Sequence, residues 1–134
     1  MEKNFKVLIV DDEPDVVELL SDSLMYSLSG IDVDRAFDGL DAYALCFNNK
    51  YDLILTDHRM PRCTGLSFIE KLKLEKDSKN HKTPIIFVSA FIPEIKEDIS
   101  SMDNLLYLDK PYSDERLIKY CKMLLHGGGN EAAK

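Results

Sequence analysis

Apolar and polar residues alternate along this chain in blocks whose lengths suit strands and helices in turn. Four short, nearly continuous apolar runs are typical of strands that are covered on both faces of a sheet. They are Phe5–Val10, Leu53–Thr56, Pro84–Ser89 and Leu105–Leu108. A fifth segment, Ile31–Ala36, alternates polar and apolar residues, which predicts a more exposed strand toward a sheet edge.

Between these segments, apolar residues recur at the spacing of helices. The five predicted helices begin near Pro14, Asp38, Gly65, Pro93 and Ser113. Five strands that alternate with five helices predict an α/β fold, a doubly wound parallel sheet with helices on both faces. In such a sheet, ligands bind beyond the carboxyl ends of the strands.

Composition narrows the class of protein. The 134 residues suit one domain, predicted over residues 1–126, with residues 127–134 a flexible tail or the start of a linker. A net charge of −7 argues against direct nucleic-acid binding. We find neither an apolar stretch long enough to span a membrane nor room for a secretory signal, so a cytoplasmic protein without membrane contact is expected. The three cysteines fit neither a disulfide frame nor a zinc site and are predicted to be reduced thiols packed in the core.

Charged residues follow three of the apolar runs. Asp11-Asp12-Glu13 follows the first run, Asp57 follows the second, and Lys110 comes two residues after the last. If those strands are parallel neighbours, they form an acidic pocket faced by one lysine. Carboxylates this close repel by about 4 kcal/mol at 4 Å and an effective dielectric near 20, so a cation such as Mg²⁺ would relieve them. The open alternative is that the first acidic group only caps a helix.

The same edge offers groups for phosphoryl transfer. Lys110 could hold a phosphoryl group by charge, and Ser89, at the end of the fourth strand, could donate a hydroxyl hydrogen bond. Alternatively, Lys110 is a surface lysine in a weak ion pair and Ser89 bonds to local backbone. Taken together, these groups predict attack by the Asp57 carboxylate on a phosphoryl donor.

The chain resembles the receiver domains of two-component response regulators, the CheY-like family. The resemblance covers Phe5 to about Leu125. It is carried by four ordered motifs, VLIVDDEP (7–14), LILTDHRMPRCTG (53–65), PIIFVSA (84–90) and YLDKP (107–111). It implies the flavodoxin-like strand order 2-1-3-4-5 that such folds share.

The resemblance also implies roles for individual residues. Asp57 would be the phosphoacceptor, served by a histidine kinase or phosphotransfer protein. Mg²⁺, which Mn²⁺ could replace, would be held by Asp12 and Asp57 directly, by Asp11 through water and by the backbone carbonyl of Arg59. Lys110 and Ser89 would complete the catalytic set, and Ser89 would act together with Tyr107 as a switch.

A downstream protein is expected on the face formed by the fourth and fifth predicted helices and the fifth strand. Phosphorylation-dependent homodimerisation is a further expectation. The protein is predicted to be a phosphoacceptor that assists its own phosphorylation and dephosphorylation, not an enzyme acting on other substrates. The alternative is a receiver-like interaction scaffold that phosphorylation does not regulate.

Two other classes fit less well. A haloacid-dehalogenase-type phosphatase needs its aspartate nucleophile in a DxD pattern after the first strand, where this chain has Asp11-Asp12-Glu13. A flavodoxin needs a hydroxyl- and glycine-rich phosphate loop at that place.

Overall fold

The computed structural model describes residues 4–90 and 104–126. A five-stranded parallel sheet has the order β2-β1-β3-β4-β5. Its strands are β1 (Phe5–Val10), β2 (Ile31–Ala36), β3 (Leu53–Thr56), β4 (Ile85–Ser89) and β5 (Leu105–Asp109). The predicted fold class and strand order are therefore confirmed, and β2 lies at a sheet edge as its alternating pattern indicates.

Four helices are present in the described ranges. They are α1 (Pro14–Ser27), α2 (Gly39–Asn48), α3 (Gly65–Leu74) and α4 (Asp114–Leu125). The helix predicted from Pro93 and the predicted tail lie outside the described residues. None of the described helices is long and apolar enough to cross a bilayer.

The sheet separates two apolar layers because side chains alternate between its faces. One layer contains Phe68 and Ile69 of α3 with Leu8 and Ile54 of the sheet. The other contains Val17 of α1 and residues of α4 against the opposite face. The central strands β1, β3 and β4 are buried from Val7, Leu53 and Ile85 onward, which explains why their sequences are continuously apolar.

Local chemistry sets the helix starts. Pro14 occupies the first turn of α1, where a missing N–H costs nothing. Asp38 and Ser113, near which two helices are predicted to begin, cap α2 and α4 by accepting the N–H groups of Asp41 and Arg116. Thr64 caps α3 in the same way by accepting the Ser67 N–H.

The polar composition of the segment Glu75–Lys82 predicts a solvated loop, and the structure differs from this prediction at one residue. Its Asn80 is fully buried. The Asn80 side chain donates to the carbonyl oxygens of Cys46 (2.8 Å) and Asn49 (2.7 Å) and accepts the Tyr51 N–H (2.8 Å). The loop is therefore anchored to the end of α2 and the start of β3. The three cysteines are free and buried, as predicted.

Candidate functional site

Three carboxylates meet where β1 and β3 end. Val10 and Thr56 are paired in the sheet, so Asp11 and Asp57, the residues that follow, emerge side by side. One oxygen from each of Asp11, Asp12 and Asp57 lies within 4.8 Å of the others. Asp11 and Asp57 are buried and Asp12 is exposed. The predicted acidic pocket is therefore present.

Lys110 faces this cluster from the end of β5. Its Nζ lies 3.0 Å from Asp11 Oδ2 and 3.5 Å from Asp57 Oδ2. The Lys110 N–H donates to the carbonyl oxygen of Ser89 at 3.2 Å, which ties the lysine to the neighbouring strand. Lys110 is half-buried and contacts two carboxylates, so the alternative of a surface lysine in a weak ion pair does not describe it.

The acidic group after β1 does not cap α1 through a side chain. The cap residue, Glu13, makes no side-chain cap hydrogen bond. Asp11 instead accepts the Glu13 N–H at 3.0 Å through Oδ1, while its Oδ2 contacts Lys110. Asp12 remains exposed beside Asp11 and Asp57. The capping alternative therefore does not account for this group.

Hydrogen bonds and close packing against the start of α3 fix the backbone around Asp57. Its N–H donates to the Val10 carbonyl (3.0 Å), and its Oδ1 accepts the His58 N–H (2.7 Å). Gly65 begins α3 so close to this point that a Cβ on Gly65 would overlap the Asp57 carbonyl oxygen. Only glycine fits there without moving the strand end that carries Asp57.

His58 and Arg59 follow Asp57 in the loop. His58 is half-buried, and its Nδ1 accepts the Leu66 N–H at 3.4 Å, so its side chain contacts the start of α3. Arg59 is exposed, two residues after Asp57.

Ser89 and Tyr107 share one face of the sheet. Ser89 ends β4 and is fully buried, and Phe87, two residues earlier, is paired with Tyr107. Because side chains repeat every second residue, Ser89, Phe87 and Tyr107 point to the same side. Burial raises the pKa of the half-buried Tyr107 phenol.

Burial and mutual contact shift the pKa of both Asp11 and Lys110. Burial raises the pKa of Asp11 above its usual range, although the Glu13 N–H and Lys110 oppose this. Burial alone would lower the pKa of Lys110, but the hydrogen bond and charge of Asp11, together with Asp57, raise it. Lys110 is therefore held as a cation next to two buried carboxylates.

One lysine does not balance three carboxylates. The donors that remain are hard oxygens on converging side chains, which is the ligand chemistry of Mg²⁺ and Mn²⁺. The residues present therefore fit a divalent cation, and the nucleophilic carboxylate lies beside them.

A second charged contact next to the site was not predicted. Arg62, in the loop after β3, pairs with Asp38 at the start of α2 at 2.6 Å. The two residues are far apart in sequence and carry no local pattern, so only the folded chain reveals the contact.

The fold and the site together define the class of protein. It is a doubly wound α/β domain with an acidic cleft at the carboxyl edge of its sheet, where Lys110 faces Asp57. Residues 7–122 match the model of the response regulator receiver domain. The chain belongs to this family, which confirms the resemblance, and it is a receiver domain of the two-component type.

Similar proteins agree with this assignment. The response regulator MprA of Mycobacterium sp. (strain KMS) is 34% identical over 122 residues, which are 90% of this chain and 50% of that protein. The Francisella response regulator 1452 receiver domain superposes with a TM-score of 0.78 at 32% identity, over 92% of this chain and 98% of that one. This chain spans about half the length of the curated relatives it matches.

A more distant structure shares the fold. The receiver domain of sensor histidine kinase PA1611 from Pseudomonas aeruginosa PAO1 has a TM-score of 0.79 at 23% identity, over 92% of this chain and 99% of that one. That structure holds a magnesium ion in its active site cleft.

Proposed function

We propose that Asp57 accepts a phosphoryl group from a histidine kinase or a histidine phosphotransfer protein, with a divalent cation bound beside it. The convergence of the Asp11, Asp12 and Asp57 oxygens within 4.8 Å, faced by Lys110, is the observation that carries this proposal. Family membership supports it, because the matched model is that of the response regulator receiver domain.

The proposed cation is Mg²⁺, which Mn²⁺ could replace. Asp12 and Asp57 would bind it directly, Asp11 through water, and Arg59 through its backbone carbonyl. When bound, the cation would neutralise the carboxylates and draw phosphoryl oxygens toward them. Its preference for oxygen ligands matches the donors at this site.

Asp57 supplies the nucleophile in this proposal. An oxygen of its carboxylate attacks phosphorus while the bond from phosphorus to the donor's histidine nitrogen breaks, and an aspartyl phosphate forms. The His58 N–H, 2.7 Å from Oδ1, orients the carboxylate. Lys110 Nζ, 3.5 Å from Oδ2, would stabilise the charge that is brought in with the phosphoryl group, and the Ser89 hydroxyl would donate to one of its oxygens.

The switch would begin at Ser89. The new oxygens would draw its hydroxyl toward Asp57, and Tyr107, on the same face of the sheet, would turn inward behind it. The surface of β5, α4 and the helix predicted from Pro93 would then be altered for a downstream protein. Homodimerisation through that surface on phosphorylation is the accompanying prediction, and residues 1–126 are the proposed receiver unit.

Labelling with a small phosphoryl donor tests the proposal. Phosphoramidate with Mg²⁺ should give the protein an acid-labile phosphoryl group, and EDTA should prevent labelling. Asp57→Asn should abolish it. Asp109→Asn, which removes an exposed carboxylate at the end of β5, should leave it intact and serves as the control. Labelling of the Asp57→Asn protein at the wild-type level would overturn the assignment of Asp57 as phosphoacceptor. Failure of the wild-type protein to be labelled would instead favour a scaffold that phosphorylation does not regulate.

A further inference from the structure

Arg62 has an unusual backbone conformation in the loop between β3 and α3. Its φ is 70°, in the left-handed region that a residue with a Cβ rarely adopts. In the described ranges, the one other non-glycine residue with positive φ is Asn104, and asparagine tolerates this region. An arginine in this conformation requires surrounding contacts that hold it.

Asp38 supplies those contacts. Arg62 Nε and Nη2 lie 3.0 Å and 2.6 Å from Asp38 Oδ2, and Nη2 lies 3.3 Å from Asp41 Oδ1. The other oxygen of Asp38 caps α2 by accepting the Asp41 N–H at 2.9 Å. The buried carboxylate of Asp38 therefore joins the loop to the first turn of α2.

A second contact joins the same two segments. A Cβ on Gly39 would overlap the carbonyl oxygen of Cys63 and lie 2.8 Å from its Sγ. The start of α2 thus packs directly against the residue that follows Arg62. This loop begins at Asp57 and includes Arg59, and its other end is tied back by the Gly65 N–H to the His58 carbonyl at 2.9 Å.

We infer that Arg62 is a positioning residue that, through Asp38, holds the β3–α3 loop in the conformation that presents Asp57 and the Arg59 carbonyl to the divalent cation. The inference rests on the proposed function. The Arg62 and Asp38 side chains pair with each other and would act on the cation only through the loop. Loss of the pair would lower the fraction of molecules with a competent loop, and the apparent Kd rises as the reciprocal of that fraction.

Two substitutions, Arg62→Ala and Asp38→Asn, distinguish a positioning role from a direct effect of charge on Mg²⁺ binding. Arg62→Ala removes a cation near an acidic cleft, so charge alone would tighten Mg²⁺ binding. Asp38→Asn removes an anion but keeps an oxygen that can cap α2, so charge alone would weaken binding. Positioning predicts that both variants bind Mg²⁺ more weakly, by about three- to ten-fold.

Isothermal titration with Mg²⁺ on the whole chain measures this, with folding checked by circular dichroism. Arg62→Lys keeps the charge but not the paired nitrogens and should fall between wild type and Arg62→Ala. Arg116→Ala, which removes an exposed arginine of α4, is the matched control and should bind as wild type does. With phosphoramidate as donor, the Mg²⁺ concentration for half-maximal labelling should rise in Arg62→Ala and Asp38→Asn, with the rate at saturating Mg²⁺ within about two-fold of wild type.

Opposite shifts in the two variants would show a charge effect and overturn the inference. So would unchanged Mg²⁺ affinity in folded variants with lowered thermal stability, because a merely structural role gives that result. Either outcome leaves wild-type labelling at Asp57 intact. Failure of the wild-type protein to bind Mg²⁺ or to be labelled would instead overturn the proposed function, and this inference with it.

Discussion

At the scale of single residues, the two buried carboxylates of the site each contact more than one partner. Asp57 Oδ1 accepts a backbone N–H and Oδ2 lies 3.5 Å from Lys110, while Asp11 divides its oxygens between Glu13 and Lys110. Because each carboxylate oxygen has lone pairs for more than one partner, these contacts orient both side chains and still allow a further ligand to bind. Hydrogen bonds to charged groups contribute about 1.5–3 kcal/mol each, so such contacts are enough to fix these side chains.

Asp38 allows a residue-scale prediction about pH. Burial alone would raise the pKa of this carboxyl, but the Asp41 N–H and Arg62 lower it below its usual value. A lowered folded-state pKa contributes stability that is present above the unfolded-state pKa and is lost as pH falls through the folded-state pKa. The free energy of unfolding of wild type should therefore exceed that of Asp38→Asn near neutral pH, and the difference should shrink below about pH 4.

Urea unfolding of both proteins at pH 7, 5, 4 and 3 measures that difference. Asp22→Asn, at an exposed position of α1, is the control and should follow wild type at every pH. A difference between wild type and Asp38→Asn that stays constant from pH 7 to pH 3 would contradict the argument.

At the scale of elements, the end of α2, the start of β3 and the segment before β4 form one hydrogen-bonded unit. Asn80 connects all three, and the Thr83 hydroxyl lies 3.0 Å from Asn80 Oδ1 and 3.1 Å from the Tyr51 carbonyl oxygen. The unit lies at the amino-terminal end of β3, and the acidic cluster lies at the opposite end of that strand. It sets where β3 starts and so helps to place Asp57 at the other end.

Asn80→Ala should destabilise the protein strongly. The buried Cys46 carbonyl oxygen, the half-buried Asn49 carbonyl oxygen and the buried Tyr51 N–H would lose their partner, at a cost of about 2–4 kcal/mol in the free energy of unfolding. Asn80→Asp keeps the acceptor oxygen but cannot donate, so it should also be destabilising.

Lys79→Ala, at the exposed neighbouring position, should change stability by less than about 0.5 kcal/mol. Denaturant unfolding at pH 7 provides the comparison. An Asn80→Ala protein as stable as Lys79→Ala would mean that water replaces the lost contacts.

At the scale of the whole molecule, binding at the acidic cluster should be coupled to folding. A cation that binds only the folded state stabilises it by about 2.7 kcal/mol at a concentration 100 times its Kd. Mg²⁺ should therefore raise the thermal midpoint of wild type.

Asp12→Asn should show two opposite effects. In EDTA it should be slightly more stable than wild type, by up to about 1 kcal/mol, because one of three clustered negative charges is gone. Most of its stabilisation by Mg²⁺ should be lost. Asp109→Asn should keep that stabilisation, and an equal response of all three proteins to Mg²⁺ would place the cation elsewhere.

The chain's own pattern determined the parallel sheet and the positions of Asp11, Asp57, Ser89 and Lys110 at strand ends, because apolar runs and the residues that stop them are local signals. That Asp57 lies beside Asp11 also requires β1 and β3 to be adjacent, which the family resemblance implied and the sheet order confirms.

Only the tertiary structure decided which polar residues become buried partners across long separations. Asn80 in an apparently solvated loop and Arg62 against Asp38 show this best. No local period marks either contact, since each depends on side chains that folding brings together from different elements. The sequence therefore determined which groups reach the edge of the sheet, and packing determined how rigidly they are held there.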